Sequence, residues 1–139
     1  MNVTLLEQEL TIDEGNIPHA YPDDRGFLTI GIGRLIDARK GGRLSPDEIM
    51  LLFTNDVANH TADIFKALPW AQTLNDGRQR ALVNMCFQMG IQGVLQFHAM
   101  LASMEAGDFE SAARQALESD WAEQTPNRAA RVAELIKTG

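Results

Sequence analysis

A single cysteine in 139 residues, Cys86, excludes an internal disulfide. It lies in the apolar run ALVNMCFQM, where nothing would ionise a thiol, so a small core residue is expected. No apolar run reaches the length of a signal-peptide core or a membrane span, and the first residues, MNVTLLEQELTIDEGN, carry acids in place of a basic head. The expectation is a protein made in the cytoplasm without a signal peptide or membrane insertion. Positive charge is scarce as well: 12 Lys and Arg face 19 Asp and Glu, a net charge of −7. That balance argues against non-specific binding to nucleic acid or an anionic membrane, since both need a summed positive field. Arg78, Arg80, Arg128 and Arg131 remain candidates for a local basic patch, the alternative being solvated helix faces. His19, His60 and His98 show no ligand-pair spacing, the acids do not follow a calcium-loop pattern, and no G-x-S-x-G elbow occurs. No metal or cofactor is therefore expected.

What is present supports one folding unit that can divide into two lobes: 45% hydrophobic content over this length allows one real core. Val3, Leu6 and Leu10 recur at helical spacing up to Gly15, which can supply a left-handed helix end. Pro18, Pro22 and Gly26 then break any helix, and FLTIGIG alternates like a half-buried strand, predicting a small antiparallel sheet over residues 16–36. After the polar loop ARKGGRL, SPDEIMLLFTNDV announces a long helix, with Ser45 as N-cap, Pro46 in the first turn, Glu48 completing a capping box, and Ile49, Leu52, Phe53 and Val57 facing the core. From Pro69 onward the chain reads as helical: a central buried helix through RALVNMCFQMG, shorter helices around VLQFHAMLASMEAG and DFESAARQALES, and a last one opened by Thr125 and Pro126. The fold class is α+β and mostly helical. A small lobe over about 13–60 would be joined by the long helix to a helical lobe over about 61–139, to which the first helix, 1–12, is assigned.

The chemistry concentrates in YPDDRGFLTIGIGR, Tyr21 to Arg34. Its glycines sit inside the strand pattern, not between a strand and a helix, and they lack the third glycine of a dinucleotide fingerprint and the Lys-Ser/Thr of a P-loop. Alternation puts Leu28, Ile30 and Ile32 on a core face and Thr29, Gly31 and Gly33 on the other, a hydroxyl followed by bare backbone. Close approach of a ligand is one reason for such glycines; a bulge or tight bend is the other. Glu14 ends a helix, while Asp23 and Asp24 stand in the turn feeding the strand. A returning hairpin could gather Glu14, Asp23 and Thr29, giving two carboxyls in unlike surroundings, which is what glycoside hydrolysis requires.

Glu14-Gly15, then Tyr21-x-Asp23-x-x-Gly26-x-x-Thr29-Ile30-Gly31-x-Gly33, resembles the active-site segment of the phage-type lysozymes, glycoside hydrolase family 24. The family's spacing of Glu, eight residues, Asp, five residues, Thr is matched, and RALVNMCFQMG and WAEQTPNRAARV resemble its central helix and closing segment. The resemblance implies a single lysozyme domain and an inverting muramidase that cleaves the β-1,4 bond between N-acetylmuramic acid and N-acetylglucosamine in peptidoglycan. It implies Glu14 as general acid, Asp23 as the group handling water and the developing positive charge, and Thr29 as a holder of that water. Gly31, Gly33, Asn84, Phe87 and Gln88 fall where the family binds the glycan strand, and Arg128 matches an arginine that pairs with the catalytic glutamate. Where the family pattern has a histidine paired with an aspartate, this chain has Arg34 and Asp56, which predicts an Arg34–Asp56 ion pair. The family also implies an endolysin acting as a monomer in host lysis, made in the host cytoplasm and reaching the wall through a holin. Two other uses remain open: a non-catalytic wall-binding module, and a lysozyme domain serving as an antibacterial effector or virion component.

Overall fold

A computed structural model describes all 139 residues. Seven helices and one small sheet follow in the order α1 (Val3–Glu14), β1 (Ile17–Pro22), β2 (Leu28–Gly31), β3 (Arg34–Leu35), α2 (Pro46–Ala67), α3 (Asp76–Val94), α4 (His98–Glu105), α5 (Phe109–Leu117), α6 (Asp120–Gln124) and α7 (Pro126–Thr138). This is the α+β, mostly helical architecture expected. The chain forms two compact units, Met1–Leu51 and Leu52–Gly139, and α2 runs through the boundary. α1 and the sheet both fall within the first unit.

In the first unit, α1 opens on Asn2, whose side chain accepts from Leu5 N–H, and ends at Gly15, whose positive φ of 78° turns the chain toward the sheet. The sheet is antiparallel in the order β1–β2–β3, with Tyr21 opposite Thr29 and Thr29 opposite Leu35. The expected unbroken strand through Gly33 is interrupted. β2 stops at Gly31, and Ile32–Gly33 form a tight turn into β3, with Gly31 and Gly33 at φ of 65° and 69°. The expected faces are also reversed at the start of the strand. Thr29 is buried at 5% exposure while Leu28 is 46% exposed, because Leu28 is held by its backbone, which donates to Asp37 Oδ2. The two buried residues of this unit, Thr29 and Asp37, are both polar.

Asp37 is the hub of the loop that follows. Its carboxylate accepts from Leu28 N–H, Arg39 N–H and the Arg39 guanidinium, and its carbonyl accepts from Lys40 and Gly42 N–H. Arg39 also donates to Gly26 O at 3.1 Å, so the loop is tied to the first hairpin from both sides. A Cβ on Gly42 would stand 2.7 Å from Asp37 N and 2.8 Å from Ile36 C, both backbone atoms, so only glycine fits.

α2 begins as its sequence demands: Glu48 Oε2 accepts from Ser45 N–H at 2.6 Å, and Ser45 Oγ accepts from Glu48 N–H at 3.3 Å. Its first turns do not face a core, however, since Ile49, Leu52 and Phe53 are about half exposed and only Val57 is partly covered. A helical apolar stripe identifies a face, and the exposure at these positions shows that a stripe alone does not cover it.

The hydrophobic core lies in the second unit, built from Ile64, Leu68, Leu82, Met85, Val94, Met100, Met104, Val132 and Ile136 among others. α7 packs against α3, α5 and α6. α3 breaks at Gly90, where φ 69° and ψ 169° are incompatible with a helix. Cys86 is fully buried, its Sγ 3.5 Å from His60 Nδ1, and burial pushes the thiol above its ordinary range. Arg78 donates to the carbonyls of Ile136 and Lys137, satisfying the open end of α7, while its guanidinium lies 3.5 Å from the centre of the Phe109 ring. Thr125 does not cap α7; its hydroxyl donates back to Trp121 O at 2.9 Å, and the short α6 that precedes it has no counterpart in the sequence reading. No helix is long and apolar enough to cross a membrane.

Candidate active site

The three candidate catalytic residues are carried by the first unit. Glu14 is the last residue of α1, and its exposed carboxyl group lies against Gly33: a Cβ there would stand 2.8 Å from Oε2 and 2.9 Å from Cδ. The Tyr21 hydroxyl donates to the Glu14 carbonyl at 3.4 Å, which fastens β1 to the helix end. Backbone and side chain of Glu14 are thus positioned from two sides, by β1 and by the β2–β3 turn.

Asp23 follows β1 and closes a five-residue turn on itself. Its N–H donates to Phe27 O, while Oδ1 accepts from Arg25 N–H at 2.9 Å and Phe27 N–H at 2.8 Å. The Phe27 amide, then the Arg25 amide and the positive charges of Lys40 and Arg25, hold its acidity constant below the usual aspartate value against the opposing effect of burial. Asp24 makes none of these bonds, so the turn singles out Asp23, as the spacing did. Thr29, opposite Tyr21 on β2, is buried, and its hydroxyl donates to Phe27 O at 3.3 Å. The hydroxyl, the ionised carboxylate and the glutamate therefore share one β-hairpin and the helix end to which it is fastened.

Gly31 and Gly33 have a reason for being glycine that needs no ligand. Both lie at positive φ in the turn, and Gly33 also admits the Glu14 carboxyl, whereas a Cβ on Gly31 would meet nothing within 4 Å. The tight-bend alternative accounts for both, and the close approach at Gly33 is by the chain's own side chain.

Arg34 departs from expectation. Its guanidinium bonds Glu48 Oε2 at 2.7 Å and the Arg43 carbonyl at 2.8 Å, and Asp56 takes no part. The capping box aims Glu48 back past the start of α2, within reach of β3. Asp56 lies eight residues further along the helix, about 12 Å by the helical rise.

The remaining candidates belong to the second unit. Asn84 accepts from Arg128 twice, through Oδ1 and its carbonyl, each at 2.8 Å. Gln88 Oε1, one turn on, accepts from Trp121 Nε1 at 2.9 Å. Phe87 is 41% exposed, its ring centre 5.0 Å from that of His60 and 6.3 Å from that of Phe53. Val57, Thr61, Phe65, Gln79, Asn84 and Phe87 help line a groove of about 570 Å³. No group of three or more His, Cys, Asp or Glu is placed to hold a metal ion.

Asp37 and its loop were missed as an organising element by sequence reasoning, although an aspartate two residues before an arginine and four before a glycine pair is a legible turn signal.

Comparison with known proteins gives one consistent result. A family model described as phage lysozyme matches residues 12–136. The pre-baseplate central spike protein Gp5 of Enterobacteria phage T4 is 37% identical across 99% of this chain, which spans only 28% of that protein's length. Two Dictyostelium discoideum proteins, probable T4-type lysozymes 1 and 2, are 32% and 31% identical across 99% of this chain and 96% of their own.

Proposed function

The chain belongs to the phage lysozyme family and is a glycoside hydrolase of that type, and from this premise we propose that it cleaves the β-1,4 bond between N-acetylmuramic acid and N-acetylglucosamine by an inverting acid/base reaction. The observation that carries the proposal is the hairpin fastened to the end of α1, which places Glu14 against Gly33 and Asp23 in its own turn beside Thr29. Glu14 protonates the leaving glycosidic oxygen. Asp23, ionised by its two amide bonds, takes the proton of the attacking water and faces the charge developing on the sugar ring, and the Thr29 hydroxyl holds that water. The exposed polar and aromatic groups of the second unit, Asn84, Phe87 and Gln88, bind the glycan strand. Arg128 acts by fixing Asn84.

The biological role follows as a second step: a monomeric endolysin, made in the host cytoplasm and acting on the wall after a holin opens the way. One observation favours another reading, a virion component: the match to a phage central spike, of which this chain corresponds to 28%. Mass spectrometry of purified particles separates the two, since only a virion component is carried in them. For the chemistry, Glu14→Gln is tested by turbidity on outer-membrane-permeabilised bacteria. Lytic activity lost with the fold intact is expected, and retained lysis refutes the assignment.

A further inference from the structure

Positive charge is concentrated where the net charge would not lead one to look. Residues 23–43 carry Arg25, Arg34, Arg39, Lys40 and Arg43 against Asp23, Asp24 and Asp37, an excess of two positive charges in a chain of −7. Two of the five are neutralised locally, Arg34 by Glu48 and Arg39 by Asp37. Lys40 is exposed and has no carboxylate within ion-pair distance. Its ammonium rests 4.0 Å from the centre of the Phe27 ring, and the Arg39 guanidinium lies 5.2 Å from the same centre. Phe27 is also the residue whose amide holds the Asp23 carboxylate at 2.8 Å. One residue therefore ties two opposite charges together, the proposed water-handling carboxylate through its backbone and an uncommitted cation through its ring.

The placement is fixed, not incidental. Arg39 is locked by Asp37 and Gly26, Lys40 follows it in the same short 3₁₀ turn, and Gly42 is the only residue type that lets the loop close over Asp37. Cation–π attraction keeps the ammonium over the ring at little conformational cost and leaves it free to accept an anion. The sugar backbone of the substrate is neutral, and its fixed negative charges are carboxylates borne on the muramyl side chain.

We propose that Lys40, seated on Phe27 beside Asp23, is a carboxylate subsite that binds the charged side chain of the muramyl residue while the glycan lies at Glu14 and Asp23. The proposal rests on the muramidase reading and deepens it. It explains how an acidic protein engages an anionic polymer: attraction is supplied locally, at the reacting sugar, and not by the net field.

The test compares wild type, Lys40→Gln and Lys40→Arg on three substrates: untreated sacculi, sacculi whose carboxyl groups have been converted to methylamides, and amidase-stripped glycan carrying only the lactyl carboxylate. Wild type should be slowed about two- to fivefold by amidation, the scale of one exposed ion pair, through KM and not kcat. Lys40→Gln should reduce that ratio to about one and Lys40→Arg should restore it. The lactyl carboxyl is an amide in sacculi and is freed only by stripping: if Lys40→Gln raises KM on stripped glycan as it does on untreated sacculi, the subsite also takes the lactyl carboxylate; if Lys40→Gln leaves stripped glycan unaffected, the peptide carboxylates are the ligand. Lys40→Gln keeping the wild-type ratio, or lowering kcat equally on all three substrates, would overturn the subsite. Co-sedimentation of Glu14→Gln protein with the same sacculi, with and without Lys40→Gln, reads binding without turnover. A wild type that binds in a Lys40-dependent way but releases no reducing ends would sink the muramidase reading alone.

Discussion

Replacing Gly33 by alanine separates the backbone's need for glycine from the active site's need for it. At φ of 69° an alanine costs about 1–2 kcal/mol whatever surrounds it. The new Cβ would also stand 2.8 Å from Glu14 Oε2, and ordinary contact begins near 3.4 Å, so the carboxyl group must retreat by about 0.6 Å. Glu14 is the end of a flexible, exposed side chain, and that retreat adds little to the folding cost. Its effect on turnover is of another order: a 1 Å misplacement of a reacting group costs on the order of a hundredfold, so about tenfold is expected here. Gly31→Ala is the matched reference, with φ of 65° and no neighbour within 4 Å of the added atom. The two variants should melt within about 2 °C of each other, both below wild type. Muropeptide release by Gly33→Ala should fall about ten times further than by Gly31→Ala. Equal losses would show that the site needs bare backbone, not the Glu14 contact, and would refute the reasoning.

Glu48→Ala, which removes both the capping box and the partner of Arg34, should lower the melting temperature, while Asp56→Ala should leave it unchanged; a larger effect at Asp56 would restore the pairing the sequence suggested. Asp37 is held well below the usual carboxylate range by the Arg39 guanidinium and amide and the Leu28 amide. Because its folded value is the lower one, its stabilisation is complete above the ordinary aspartate value and is lost as pH falls from about 4 toward the folded value. Melting curves from pH 7 to pH 2.5 should therefore show a steeper acid decline in wild type than in Asp37→Asn, and parallel curves would contradict that linkage. Cys86 should be unreactive to a thiol reagent at pH 8 in the native protein and label fully in denaturant; rapid native labelling would place the thiol at the surface.

The elements that could be read in advance are those whose signals are local. Gly15 ends α1, Ser45 and Glu48 open α2, Pro126 opens α7, and the carboxylate that closes the turn after β1 is the one chosen by spacing. The rest depends on contacts distant in sequence. The alternation in FLTIGIG could not reveal that Asp37, nine residues beyond Leu28, captures its amide and that Thr29 is the buried neighbour. Nor could it reveal that the space a glycine leaves at position 33 is filled by the chain's own glutamate, since a ligand and a side chain require the same missing Cβ. Arg34 illustrates the limit of transfer by position: an arginine in place of a histidine reaches a different carboxylate, the one already aimed at it by the cap.

That Thr29 and Asp37 are the buried residues of the first unit, while every fully buried apolar side chain lies beyond Leu51, bears on how the protein would fail on heating. Hydrogen bonds and turns, not excluded water, hold Glu14, Asp23 and Thr29 in register, and such regions open at the low end of a protein's range of local stabilities. The working ceiling of the proposed site is then set by the hairpin that carries it: activity should fade while the helical core is still intact and return on cooling, a reversible loss that a melting curve dominated by helix signal would not register.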